Sequence, residues 1–235
     1  MTTQARYLNS VLEYFDSVTA ERVARLAPVQ FSDDFLYRAA LPDPWGTRDT
    51  NGATEAPVAN GASGIMALTL AATNEVELAG IDFADHRPFV LNQGLIFEAR
   101  VRLPTLPTGA VVAAIGLCGN HNAAVNTVAE SIWFRADGSG ALTVETDDTV
   151  HETSLVSTGV TLGTSDWAVL RIDCTNISAI EFYINGNRVA SGTTFNCSQV
   201  AALALQPVAR IGKEGAAASV GTLYVDYIKI WQSRS

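Results

Sequence analysis

The chain has 235 residues, of which 48% are hydrophobic and 17% charged, a composition that excludes an intrinsically disordered protein. Its formal net charge of -9 argues against a nucleic-acid partner, because affinity for phosphates depends on lysine and arginine. The sequence contains no run of about 20 apolar residues, so we expect no membrane partner.

The first predicted element is an α-helix in an N-terminal arm, residues 1–30. Between Arg6 and Leu26 apolar residues recur at intervals of three and four, as on one face of a helix, and Ala27-Pro28 would end it. This stripe either packs on the domain that follows or binds a partner. We therefore name its members as candidate partner-binding residues: Leu8, Val11, Leu12, Phe15 and Val18. The N-terminus lacks the apolar core of a secretory signal, so we expect synthesis in a cytoplasm.

Residues 31–235 are predicted to form one β-sandwich domain. From Gly94 to Leu103 apolar and polar residues alternate with the period of a half-buried strand. Asn185-Gly186 favours a hairpin, since both central residues of a type I′ turn need positive φ. Short strands, frequent turns and few helices are typical of an all-β sandwich or barrel. Further strand-like runs lie at 65–70, 111–117, 131–134, 142–145, 167–173, 180–184, 209–211 and 223–231.

The stretch from Ala39 to Ser63 is rich in glycine, proline, asparagine and aspartate and is predicted to be a surface loop. Trp45 lies within it and is our candidate ligand contact, whereas the other three tryptophans occupy strand-like runs and are expected in the core. The cysteine count of three is odd, so we expect small buried side chains rather than a disulfide framework.

Three segments resemble the concanavalin A-like lectin/glucanase superfamily. They are Phe31-Ser32-Asp33-Asp34-Phe35, the hairpin from Glu181 to Val189, and the closing strand from Leu223 to Trp231. The resemblance implies a concanavalin A-like jelly-roll β-sandwich. That superfamily includes lectins, laminin G-like domains, glucanases and structural domains of virus particles, so the fold does not assign an activity. An arm before a jelly roll is also similar to the layout of bacteriophage structural proteins.

No catalytic signature is evident. The glucanase branch of the superfamily is similar to retaining glycosidases with a Glu-x-Asp-x-x-Glu cluster, which is absent here. The nearest carboxylates, Glu75 and Glu77 with Asp82, and 145–148, have the wrong spacing and are expected at exposed strand edges. Cys118 and His121 lack the second pair that a zinc site needs. We therefore predict no catalytic residue, no cofactor, no metal ligand and no enzymatic activity; loop aspartates leave a calcium ion as an open alternative.

Two functions fit these expectations. The first is a non-enzymatic virion structural protein that decorates or cements a bacteriophage capsid. It would be made in the host cytoplasm, attach partly through residues 1–30, and have the major capsid protein and neighbouring copies of itself as partners. The alternative is a carbohydrate-binding module or lectin-like domain, with surface glycans as ligands and Trp45 as a contact. A glycoside hydrolase is disfavoured by the missing acidic cluster.

Overall fold

The structure, a computed structural model, describes residues 3–8, 11–16, 22–25, 29–38, 40–200, 202–215 and 217–233, with only the backbone in the first three ranges. The strands of the arm are β1 (Thr3–Leu8), β2 (Val11–Asp16) and β3 (Arg22–Arg25). The other strands are β4 (Val29–Asp33), β5 (Gly46–Thr47), β6 (Thr54–Pro57), β7 (Met66–Thr69), β8 (Glu77–Asp82), β9 (Phe89–Val90), β10 (Leu95–Thr105), β11 (Val111–Cys118), β12 (Glu130–Asp137), β13 (Ala141–Asp148), β14 (Glu152–Thr161), β15 (Ala168–Cys174), β16 (Glu181–Ile184), β17 (Asn187–Val189), β18 (Ala204–Lys213) and β19 (Thr222–Gln232). Two 3-10 helices span Leu91–Gln93 and Val125–Thr127.

The backbone of the arm is extended where a helix was predicted. Strands β1, β2 and β3 form a three-stranded antiparallel sheet. The prediction of an α-helix is therefore wrong for these residues. Val11–Asp16 contains valine, tyrosine and phenylalanine, which favour strands, and short apolar runs fit either period. A helix of this length would also need tertiary packing to be stable.

The remaining strands form two antiparallel sheets of eight strands each, which confirms the predicted all-β sandwich. Sheet I has the order β17-β16-β15-β10-β19-β7-β6, with β4 also paired to β19. Sheet II has the order β14-β13-β12-β11-β18-β8-β5, with β9 also paired to β18. The predicted surface loop at 39–63 contributes β5 to sheet II and β6 to sheet I. Among the described residues, no helix is long and apolar enough to span a membrane.

The core lies between the two sheets. Strand β10 alternates buried and half-buried residues along almost its whole length, as its sequence predicts. The hairpin prediction is also confirmed: Asn185 (φ 50°) and Gly186 (φ 80°) connect β16 to β17. Cys118, Cys174 and Cys197 are free and buried, in agreement with the expectation. Large side chains that fill this core include Phe89, Phe97, Phe134, Phe182 and Phe195.

Sheet II is covered on its outer face as well. Every residue of β8 is buried, and β11, β12 and β18 are buried on both faces over most of their length. A second apolar cluster accounts for the outer burial of β11, β12 and β18, and in it Val125 and Val128 of the β11–β12 connection pack against Trp133. We call this connection, residues 119–129, the cover loop. It separates the outer face of sheet II from solvent and shapes the candidate site.

Candidate functional site

The arm sheet divides the residues that were predicted to bind a partner between its two faces. Leu8 ends β1, whereas Val11, Leu12 and Phe15 lie on β2. Leu8 pairs with Val11, and Phe15 lies four residues further along β2, so these three residues share one face of the sheet, whereas Leu12 belongs to the other. Val18 lies outside the described residues. Partner binding by these five residues stays a prediction.

Trp45, the candidate ligand contact, lies in the core rather than in an exposed loop. Its side chain is 6% exposed, and its ring packs edge-on against Phe31 and Phe83. Its indole Nε1 donates a 2.7 Å hydrogen bond to Asp33 Oδ2, and the same oxygen accepts a hydrogen bond from the Tyr37 hydroxyl. A buried tryptophan with its polar atom satisfied offers no stacking face to a ligand.

Several carboxylates that were expected at exposed strand edges are buried. Glu77 and Asp82 are each 1% exposed, Glu145 is 7% exposed and Asp148 is fully buried. Each has specific partners: Glu77 accepts hydrogen bonds from the amide of Ala71 and the hydroxyl of Thr73. A buried carboxylate needs charged or hydrogen-bonding neighbours. The buried acids therefore bring other polar side chains together on and around sheet II.

The cover loop is held by charged side chains of sheet II and the residues that follow it. Arg210 donates to the carbonyl oxygens of Asn122 (2.7 Å) and Ala123 (2.5 Å). Arg135 donates to Oδ1 of Asn126 at 2.9 Å. The amide of Val125 donates to Glu214 Oε1 at 2.5 Å. The cover loop is therefore fixed in two ways, by apolar packing against sheet II and by hydrogen bonds from charged side chains.

A cavity of about 260 Å³ lies between the cover loop and the edge of sheet II. Its residues come from four segments of the chain: 50–51, 76–78, 123–125 and 210–214, with Val112 completing the wall. Arg210 and Lys213 are buried, whereas Val76 is 49% exposed and Glu214 is exposed at the rim. The cavity wall thus combines apolar residues with four charged ones, Glu77, Arg210, Lys213 and Glu214. Small-molecule sites commonly have a few polar groups in a mainly apolar wall.

A second group of polar residues lies on the same face, towards the opposite end of β8. We call it the polar cluster: Arg48, Asp82, Asp85, His121 and Gln206. Arg48 Nε contacts both carboxylate oxygens of Asp82, at 3.0 and 3.2 Å, and its Nη2 lies 2.9 Å from Asp85 Oδ2. The backbone amide of His121 and the side chain of Gln206 donate to Asp85 Oδ1. Across the part of the chain with described side chains, no group of His, Cys, Asp and Glu residues could hold a metal ion.

The electrostatics of the polar cluster favour a neutral histidine. Burial lowers the pKa of His121, and the nearby guanidinium groups of Arg210 and Arg48 lower it further. His121 Nδ1 lies 3.5 Å from Asp82 Oδ2, and its side chain is 17% exposed. Burial alone would raise the pKa of Asp85, but the hydrogen bonds from His121 and Gln206 and the charge of Arg48 lower it overall. A neutral imidazole beside a carboxylate can accept a proton.

Arg135 and Glu145 form a buried ion pair beneath the cover loop. Arg135 Nη1 lies 2.9 Å from Glu145 Oε2, and Arg135 also contacts both oxygens of Asp137. Trp133 Nε1 donates to Glu145 Oε1 at 3.3 Å. Burial raises the pKa of Glu145, against the opposing effect of Arg135. The charged and polar atoms of these residues pair with one another, which indicates a structural role beneath the cover loop.

The outer face of sheet I carries aromatic and cationic side chains of a different kind. The guanidinium carbon of Arg100 lies 4.5 Å from the ring centre of Trp167, and that of Arg102 lies 5.1 Å from the rings of both Trp167 and Tyr224. Because the arginines lie over these rings, the aromatic faces are partly occupied within the sheet itself.

The cavity and the polar cluster are aligned on one surface. Along β8 the outward residues run from Leu78 in the cavity wall through Gly80 to Asp82 in the polar cluster, a distance of about 13 Å at strand spacing. Sequence reasoning missed both features. In the sequence, Asp82 and Arg210 look like ordinary exposed charged residues. Their role in the site becomes visible only in the structure, where β8 and most of β18 are buried on both faces.

Comparison with solved structures identifies the architecture. A laminarinase from Flavobacterium sp. UMI-01 superposes with a TM-score of 0.62 at 15% identity, covering 87% of this chain and 100% of that chain. An endo-β-1,4-glucuronan lyase from Trichoderma reesei gives 0.57 at 12% identity, with coverages of 86% and 95%. The carbohydrate recognition domain of Emp47p gives 0.58 at 8% identity, with coverages of 87% and 95%. The chain has the concanavalin A-like jelly-roll fold. No family model matches the sequence, and no curated protein matches it.

These comparisons confirm the predicted jelly roll and correct the predicted function. The structures that share the fold include polysaccharide-cleaving enzymes, a carbohydrate recognition domain and a protein of unknown function, and these give no support to a bacteriophage protein. The prediction of a capsid-decorating protein is therefore wrong. The prediction that the chain is not an enzyme is wrong on the same finding, since hydrolases and lyases are prominent among these structures. The misleading signal was the assumed layout of a helical arm before a jelly roll, because the described residues of the arm form strands rather than a helix.

Proposed function

We propose that this chain is a carbohydrate-binding domain that holds a glycan on the outer face of sheet II. The observation that carries the proposal is the alignment of the cavity with the polar cluster along β8. A sugar presents apolar ring faces and many hydroxyl groups, and this surface offers both apolar walls and charged hydrogen-bonding groups. The shared fold with laminarinase and a carbohydrate recognition domain supports the same ligand class.

A glycan panel followed by calorimetry tests this proposal. Ala124 is partly exposed and lines the cavity, so Ala124→Tyr should fill the space with an aromatic ring and abolish binding of any glycan that the native chain binds. Ala141→Tyr is the matched control, because Ala141 is exposed at the start of β13, outside the cavity lining. Equal binding by both variants would refute the cavity as the site, and a native chain that binds no glycan would refute the function.

The polar cluster favours polysaccharide cleavage as a second candidate function. His121, with its lowered pKa and its Nδ1 facing Asp82, is suited to accept a proton from a substrate, while Arg48 can offset negative charge that develops nearby. The glucuronan lyase and the laminarinase that share the fold act on polysaccharides, which supports testing this chemistry. Release of new reducing ends that is lost in His121→Ala and retained in His86→Ala would support it; His86 is exposed and outside the cluster.

A further inference from the structure

Arg210 is a buried cation held in an unusual setting. It lies in the middle of β18 on the outer face of sheet II and is 4% exposed. Its cross-strand neighbours are Gly80 on β8 and Ala114 on β11. A methyl group at Gly80 would lie 3.3 Å from Arg210 Cβ, so small neighbours leave the room that this long side chain occupies.

The other two buried cations of the sheet have carboxylate partners. Arg135 contacts Asp137 and Glu145, and Lys213 Nζ lies 3.5 Å from Glu77. Within the described residues, Arg210 instead donates to two backbone carbonyl oxygens and forms no ion pair. A guanidinium has five N–H donors, so this arrangement leaves several unused beside the cavity that Arg210 lines.

The charge of Arg210 is only partly compensated by its surroundings. Burial lowers the pKa of Arg210 to about 10, although the charges of Glu214 and Asp82 act in the opposite direction. Glu214 is exposed at the rim of the cavity, and its carboxylate accepts a hydrogen bond from the amide of Val125. A buried cation without a direct anionic neighbour is costly, and an anion that enters the cavity would remove part of that cost.

We propose that the cavity binds the anionic group of an acidic sugar, a carboxylate or a sulfate ester, with Arg210 as its cationic partner. Arg210 is suited to this because guanidinium donors match the paired oxygens of a carboxylate. Val76, Leu78 and Val125 supply an apolar wall around the ion pair, which limits screening by water. The inference rests on the proposed function and specifies its ligand class.

Calorimetry with three matched oligosaccharides tests the inference. The ligands are β-1,4-linked glucuronate, β-1,4-linked glucose and the 6-sulfated form of the glucose oligomer, which share a backbone and differ at carbon 6. We expect a charged oligomer to bind about ten to a hundred times more tightly than the neutral one, the range for a hydrogen-bonded ion pair. Which charged oligomer binds more tightly distinguishes carboxylate from sulfate.

Two variants separate ion pairing from support of the cover loop. Arg210→Gln removes the charge while keeping a polar amide side chain, and it should reduce binding of the charged oligomer to the neutral level. Glu214→Gln keeps an acceptor for the Val125 amide while removing a negative charge from the rim, so it should tighten binding of the charged oligomer a few-fold. Because Glu214→Gln is expected to bind the charged oligomer more tightly, a folding defect cannot explain the result.

The possible failures are distinguishable. Equal affinities for charged and neutral oligomers, or an Arg210→Gln variant that weakens both equally, would overturn the inference and leave glycan binding intact. If none of the three oligomers and no other glycan binds, the proposed function fails and the inference fails with it.

Discussion

Glu55 Oε1 accepts a 2.6 Å hydrogen bond from the backbone amide of Gly80, which links β6 of sheet I to β8 of sheet II. The amides of Arg48 and Thr50 donate to the carbonyl oxygens of Gly80 and Leu78, whereas the amide of Gly80 donates to the Glu55 side chain and that of Leu78 to the Thr50 hydroxyl. Burial raises the pKa of Glu55 to about 7, and nearby Asp49 adds to the increase, although the bond from Gly80 opposes it.

This contact predicts a pH-dependent stability. The folded state retains a proton on Glu55 that the unfolded state releases near its ordinary pKa, so stability should fall as pH rises from about 4.5 to about 7. Glu55→Gln should therefore melt close to the native chain at pH 5 and at a higher temperature than the native chain at pH 8. Glu75→Gln, at an exposed position before β8, is the control. A Glu55→Gln variant with the same pH profile as the native chain would contradict this account.

The ion pair under the cover loop predicts a strong coupling between two residues. Arg135→Met leaves Glu145 buried without its cation and should lower the free energy of unfolding by about 3–5 kcal/mol in urea titrations. The double variant Arg135→Met/Glu145→Gln should regain part of this loss, because no unpaired charge remains near Trp133. Strictly additive losses in the two single variants and the double variant would show that the pair is not coupled.

Trp45 predicts a contrast between stability and ligand binding. Trp45→Ala removes a buried indole and one donor to Asp33, and should reduce the free energy of unfolding by about 3–5 kcal/mol. Trp45→Phe keeps most of the packing against Phe31 and Phe83 and should cost less. Under conditions where the variant is folded, glycan affinity should be unchanged. Lost affinity in a fully folded Trp45→Phe variant would restore Trp45 as a ligand contact.

The close packing of sheet II makes Gly116 a sensitive position. A Cβ atom at Gly116 would lie 2.4 Å from the carbonyl oxygen of Ile132 and 2.7 Å from Cα of Trp133, both in the backbone of β12. Gly116→Ala should therefore lower stability by about 1–3 kcal/mol or more, because a backbone cannot move aside as a flexible side chain can. Gly192→Ala, which meets no atom within 4 Å, should change thermal unfolding little. Similar melting of the two variants would contradict the described packing.

The strands with one buried face could be predicted from the sequence, because their alternation is local information. Strand β10 and the Asn185-Gly186 hairpin follow from period and turn chemistry alone. The arm could not be assigned this way, since the residues of β2 fit a helical stripe and a strand equally well.

The candidate site could not be predicted because it depends on a loop. The cover loop buries Trp133 from the outside of sheet II, and it brings His121 to Asp82 across a large separation in sequence. Nothing local marks Arg210 as buried, because its burial depends on residues 122–125 folding back over β18. A long-range contact of this kind has no periodic signature.

The most direct test of the central claim, that glycans bind on the outer face of sheet II, is an amide chemical-shift titration of the ¹⁵N-labelled chain with the tightest oligosaccharide from the panel. The account predicts that the largest shifts occur at 50–51, 76–78, 121–125 and 210–214, the segments that form the cavity and its connection to the polar cluster. Shifts confined to the outer face of sheet I, around Trp167 and Tyr224, would contradict it and move the binding site to the opposite side of the sandwich.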